Sequence, residues 1–276
     1  PFRHPPSMSQ PMDRDFFRAV SAEFLATFMF VYVCVSCALN TLGVVEGANP
    51  LAQPTATLAI SLVFGFTIFV LIHCFGHISG ANINPAVTLA LVATKQMHPI
   101  KGAAYAVAQC LGSIGASAVI MGTSGLDTNT MKGANMMSGP DDTKVLHAFV
   151  SEMLLTGGLV FTVFATVDPS REDTNLGPLA IGFAVGIAHL VNVPITGCGI
   201  NPARSLGPAL FAASDQARED LWVFLLAPLV GALLAAFVYT QWFAEVSFFG
   251  GLEAFYHKKA RRDERRKTEQ SMADKV

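Results

Sequence analysis

The sequence predicts an all-α membrane protein in which six transmembrane helices and two re-entrant half-helices form an inverted repeat. Three observations carry this. Of 276 residues, 52% are hydrophobic and only 14% charged, against roughly a quarter charged in a typical soluble domain. Six stretches are long and apolar enough to cross a hydrocarbon core of about 30 Å as helices. The tripeptide Asn-Pro-Ala occurs twice, at 84–86 and at 201–203, in matching places of two related halves.

The spans fall near 16–40, 55–75, 102–122, 145–166, 178–194 and 222–243. They divide the chain into a polar N-terminal tail (1–15), a membrane domain (16–243) and a basic C-terminal tail (244–276). Residues 1–14 are polar and Pro-rich, and the apolar run from Phe16 is too long for a signal core, so no cleavable leader is expected.

Within the membrane domain the first repeat covers about 16–122 and the second about 145–243. Superposing the two Asn-Pro-Ala copies, 117 positions apart, also matches Gly80 with Gly197 and Ile83 with Ile200. Upstream, TLAISLVFG at 57–65 is similar to PLAIGFAVG at 178–186, and AEFLATF at 22–28 to SEMLLTG at 151–157. Each half holds three spans. A duplicated unit with an odd number of spans sits in the bilayer in opposite orientations, so the two Asn-Pro-Ala loops approach from opposite faces.

The segments after them, PAVTLALVATK and PARSLGPALFA, carry only about ten residues of helical character, too few to span. Pro85 and Pro202 suit the first helical position, where a missing N–H costs nothing. Two such half-helices meet N-terminus to N-terminus near the midplane, at a depth where irregular backbone is tolerated only in protein or beside a water-filled cavity. Each N-terminus offers unpaired N–H groups and a partial positive charge of roughly half an electron. Asn84 and Asn201 can each accept from their own helix start and aim an amide into the lumen, where a passing water accepts from both. An isolated Asn-Pro-Ala reads as an ordinary N-cap. Two copies in a matched inverted repeat do not.

With both termini on one side, that side collects fourteen of the eighteen Lys and Arg residues, leaving only Lys132, Lys144, Arg204 and Arg218 on the other. The excess marks it as cytoplasmic. The net charge of −2 gives no reason to invoke nucleic acid. The basic run at 258–267 reads as a topology signal that also touches anionic lipid, and RRKT at 265–268 fits a basic-directed kinase site at Thr268. The five cysteines, at 34, 37, 74, 110 and 198, form neither a zinc pairing nor the even count of a disulfide framework. Four lie in or beside spans and read as buried small hydrophobes. Cys198 differs in adjoining the second Asn-Pro-Ala.

HISGANINPAVT at 77–88 and TGCGINPARS at 196–205 closely match the two signature loops of the aquaporins of the major intrinsic protein family, and the resemblance runs from about residue 16 to 243. It implies a passive water channel with one pore per subunit, usually a homotetramer, needing no cofactor. Selectivity by pore diameter, lining donors and an electrostatic barrier is a property of that channel class, carried over with the resemblance. Position by position, the resemblance implies a selectivity filter of Phe64, His189, Cys198 and Arg204 on the extracellular side. Phe64 is a bulky apolar wall, His189 adds bulk and a hydrogen-bonding nitrogen, and Arg204 adds fixed charge with donors. Cys198 leaves room and is the candidate target of mercurials. Glu23 and Glu152 occupy equivalent places in the halves and, by the same resemblance, support the loops. A proton relay is the other reading of those glutamates, but the spans hold no further acidic residue and no paired lysine.

A glycerol-conducting relative is the first alternative. Such channels carry Asp directly after the loop arginine, a basic residue four further on and a small group in place of His189. This chain has Ser205 and Ala209 there. An inverted-repeat secondary transporter requires paired intramembrane charges, and an enzyme requires a nucleophile with its base or a metal cluster; the spans offer neither. The membrane expected is the plasma membrane.

Overall fold

The computed structural model describes residues 12–43, 54–123, 133–138, 143–168, 170, 175–212 and 214–244. The basic run at 258–267 and Thr268 lie outside the described residues. Regular structure among the described residues is helical: α1 (Arg14–Gly43), α2 (Pro54–Phe75), α3 (Pro85–Ala93), α4 (Pro99–Thr123), α5 (Lys144–Val167), α6 (Gly177–Thr196), α7 (Pro202–Phe211), α8 (Asp215–Glu219) and α9 (Leu221–Trp242). Six helices among these residues are long and apolar enough to cross a membrane, while α3 and α7, at 9 and 10 residues, are half-helices. The predicted architecture is thus the observed one.

The packing repeats. Helix α1 lies on α4 as α5 lies on α9, α1 meets α2 as α5 meets α6, and α7 rests on α4 as α3 rests on α9. The α2 and α6 helices close the figure against each other. Their crossing depends on glycine: a Cβ on Gly65 would lie 2.8 Å from the Gly182 carbonyl oxygen, and one on Gly182 would lie 2.7 Å from that of Gly65. Membrane helices lack a water-driven force between them, so close backbone approach and dispersion carry the association. Gly112 of α4 against the Phe24 carbonyl of α1, and Gly231 of α9 against the Met153 carbonyl of α5, are the matched pair at the outer crossings.

Burial is inverted relative to a soluble domain. Large apolar side chains such as Leu62, Phe66, Leu111, Leu154, Phe183, Ile187 and Leu226 face outward, while Glu23, Gln109, Glu152 and Asn192 are fully buried. An apolar solvent outside and a satisfied polar interior explain both facts. The chain is an integral, multi-pass membrane protein.

Three details differ from the sequence expectation. The fifth span runs past Pro194 to Thr196, because Gly197 closes the helix in a left-handed conformation (φ 77°) and donates its N–H to the Val193 carbonyl. The short α8, a single polar turn, carries no apolar periodicity by which to find it. Among the span cysteines only Cys34 is fully buried; Cys37 and Cys110 are partly covered and Cys74 is exposed. Cys74 is the next-to-last residue of α2, where packing thins out.

Candidate conduction site

The two half-helices begin alike. Asn84 and Asn201 are both extended (φ −145° and −154°) and both are followed by proline in the first helical turn. Asn84 Oδ1 accepts from the Ala86 N–H at 2.8 Å, and Asn201 Oδ1 accepts from Ala203 at 3.0 Å and Arg204 at 3.2 Å. Each amide also crosses to the opposite loop. Asn84 Nδ2 donates to the Ile200 carbonyl at 2.8 Å and Asn201 Nδ2 to the Ile83 carbonyl at 2.9 Å. One N–H of each amide is therefore spent on joining the loops, a link the sequence reading lacked, which leaves one N–H per asparagine for the lumen.

The loop backbones repeat residue for residue. Gly80 and Gly197, Ala81 and Cys198, and Ile83 and Ile200 all have positive φ, and each pair is 117 positions apart. For a β-branched residue such as isoleucine this conformation is strained. Two buried carboxylates hold it. Glu23 accepts from the N–H groups of Asn82 (3.0 Å) and Ile83 (2.8 Å) and from Ser79 Oγ (2.6 Å). Glu152 accepts from Gly199 (2.8 Å), Ile200 (2.6 Å) and Thr196 Oγ1 (2.6 Å). Gln109 and Asn192 each donate a further bond, at 2.7 and 2.9 Å, to Glu23 and Glu152 respectively. Ser79, Gln109, Asn192 and Thr196 were missed at the sequence level. For Ser79 and Thr196 a signal existed, since both bear hydroxyls and share the 117-residue offset.

Of the four constriction candidates, α2 supplies Phe64, α6 supplies His189 and the second loop supplies Cys198 and Arg204. The structure brings three together by direct contact. The Phe64 and His189 rings lie 3.9 Å apart between centroids, and the Arg204 guanidinium carbon sits 5.3 Å above the Phe64 ring, within cation–π range. Cys198 stands in strained left-handed backbone (φ 55°) and donates its N–H to Thr196 Oγ1 at 3.1 Å. All four are nearly sealed from solvent, at 0 to 3% exposure, so this is a tight place. Two of its polar atoms are nonetheless left open: His189 Nδ1 is bonded to the Val185 carbonyl at 2.9 Å, while among the described residues His189 Nε2 and Arg204 Nε have no partner. Arg204 Nη1 donates to the Gly133 carbonyl at 3.0 Å.

The model of the family described as "Major intrinsic protein" matches residues 11–239. The chain belongs to the major intrinsic protein family. Its relatives include a probable aquaporin, PIP2-5, of Arabidopsis thaliana, 40% identical over 233 residues that cover 80% of each chain. Aquaporin-4 of Mus musculus is 42% identical over 231 residues, 81% of this chain and 67% of that one. Among solved structures, the aquaglyceroporin from Plasmodium falciparum superposes with a TM-score of 0.67 at 22% identity, covering 82% of this chain and 96% of the other. That likeness shows the shared fold of the family. Proteins of the family are channels rather than enzymes, and among the described residues no group of three or more His, Cys, Asp or Glu is placed to hold a metal ion.

Proposed function

We infer that this chain is a passive water channel that conducts in both directions through a single-file pore and excludes protons, ions and, largely, glycerol. The observation that carries the reading is the junction of two helix N-termini, tied by crossed Asn84–Ile200 and Asn201–Ile83 hydrogen bonds. There the remaining N–H groups and two positive dipole ends offer a water only donors, so it must accept from both sides and turns its own hydrogens away from the junction. A hydrogen-bonded proton wire is broken there, and cations meet positive potential.

The second element is the selectivity filter of Phe64, His189, Cys198 and Arg204. Phe64 supplies an apolar wall that holds no water. The Val185 carbonyl can only accept, so His189 Nδ1 donates to it, and Nε2 is the ring nitrogen left to meet a passing water. Arg204 offers donors and a fixed charge. A polyol needs more width and more partners than this arrangement leaves. Glu23 and Glu152 serve as loop supports.

Residues 16–243 form the channel domain, with repeats of about 16–122 and 145–243 flanked by two tails. Both termini are cytoplasmic, on the basic side of the bilayer, and the membrane is the plasma membrane. The outward apolar side chains meet lipid and sister subunits in a homotetramer. Osmotic shrinkage of proteoliposomes under a sucrose step tests the reading. Shrinkage faster than that of protein-free vesicles is expected, whereas a rate that saturates or needs an ion gradient favours a secondary transporter instead.

A further inference from the structure

Residues 133–138 belong to neither half's helices, yet they strap together one end of the bundle. The Gly133 carbonyl accepts from Arg204 Nη1 at 3.0 Å. Asn135 Oδ1 accepts from Ser205 Oγ at 2.9 Å, and Asn135 Nδ2 donates to the Thr196 carbonyl at 3.2 Å. The Met136 and Ser138 N–H groups donate to the Thr196 and Ile195 carbonyls at 3.2 and 2.9 Å. The strap also presses on α1, since a Cβ at Gly133 would lie 2.7 Å from Val35 Cγ1.

Its far end is held by a residue whose local role lies elsewhere. Asp220 is the N-cap of α9, where an aspartate ordinarily accepts from its own helix start, yet its side chain makes no capping bond. Instead Asp220 Oδ2 accepts from the Met137 N–H at 2.8 Å and from Gln216 Nε2 at 3.2 Å, while Gln216 also donates to the Met137 carbonyl at 3.0 Å. Asp220 is buried, at 5% exposure. A buried carboxylate diverted from its own helix to a loop N–H has a fixed loop as its product.

We propose that Asp220 is a positioning residue for the constriction: by gripping Met137 it fixes the strap whose Gly133 carbonyl aims the Arg204 guanidinium at the permeant. The proposal rests on reading Phe64, His189 and Arg204 as the filter. It goes further in placing the control of that filter's charge in a side chain that touches no water in transit. Among the described residues the Gly133 carbonyl is the one acceptor bonded to the guanidinium, and Nε is left without a partner. The side chain's aim therefore depends on where the strap sits. With the strap loose, Arg204 leaves the ring of the filter and the barrier to protons falls.

The test uses the full chain in proteoliposomes and reads the ratio of proton leak, under a pH gradient, to water permeability. Asp220→Ala should raise this ratio roughly tenfold, about what one hydrogen bond to a charged group is worth. Asp220→Asn keeps an oxygen acceptor for Met137 and should restore the wild-type ratio. In an Arg204→Val background Asp220→Ala should add nothing further, because the two changes act through one group. Should Asp220→Ala fail to fold, Gln216→Met, which removes only the donors to Met137 and Asp220, should raise the ratio in the same direction. A wild-type ratio in whichever variant folds overturns the proposal, as does an equal increment in the Arg204→Val background. A wild-type protein that passes no water sinks the channel reading itself, and so is distinguishable from failure of the strap.

Discussion

Ile200 holds a left-handed backbone (φ 45°) and donates its N–H to Glu152 Oε2 at 2.6 Å. Ile83 and Glu23 repeat the relationship in the other half, at φ 58° and 2.8 Å. A β-branched residue in this conformation costs on the order of 1–3 kcal/mol and persists only where its surroundings over-determine it. Here a buried carboxylate supplies that determination, and the Asn84 and Asn201 cross-links then set the two helix starts face to face. The strain is thus part of how the loops are aimed.

Glu152→Ala should destabilise the protein strongly, because it leaves the Gly199 and Ile200 N–H groups buried and unpaired, at about 1–3 kcal/mol each. Glu152→Gln retains one acceptor and should lose less. Thermal unfolding in detergent ranks the two; an alanine variant as stable as wild type contradicts the support role.

His189→Gly combined with Phe64→Ala should admit glycerol, since it removes the two rings that meet at 3.9 Å. Glycerol uptake by proteoliposomes is the readout. A double variant that still excludes glycerol places the constriction elsewhere.

Arg204→Val should raise proton leak relative to water flow, because it removes the fixed charge at the proposed filter while the paired helix ends remain. A pH-gradient assay on reconstituted vesicles measures it. An unchanged ratio means that the helix ends alone suffice.

Mercurials should block water flow at Cys198, which is buried in the second loop three residues before Asn201, and reducing agent should reverse the block. Cys198→Ser should conduct water and resist. Because Cys74 is exposed, a Cys74→Ser control is needed and should stay sensitive. A Cys198→Ser protein as sensitive as wild type removes Cys198 from the pore.

Much of this architecture is legible in the residues, for physical reasons. Long apolar runs, a proline at each helix start and a fixed 117-residue offset are local or periodic signals, so the spans, half-helices and inverted repeat could be read directly. The identical positive-φ positions of Ile83 and Ile200 could not, since isoleucine is a poor residue for that conformation and only the distant glutamates make it tenable. The crossed Asn84 and Asn201 bonds and the strap at 133–138 depend on partners far away in sequence. Asp220 shows the limit most clearly: it stands at the N-cap of α9, yet its side chain is spent on the distant Met137 N–H.

Light scattering from proteoliposomes given a glycerol step in place of sucrose decides whether the pore conducts water selectively. If Phe64, His189 and Arg204 form the filter, the vesicles shrink rapidly as water leaves and then re-swell no faster than protein-free vesicles. Re-swelling on the timescale of the shrinkage, or no shrinkage at all because glycerol enters with water, contradicts the account.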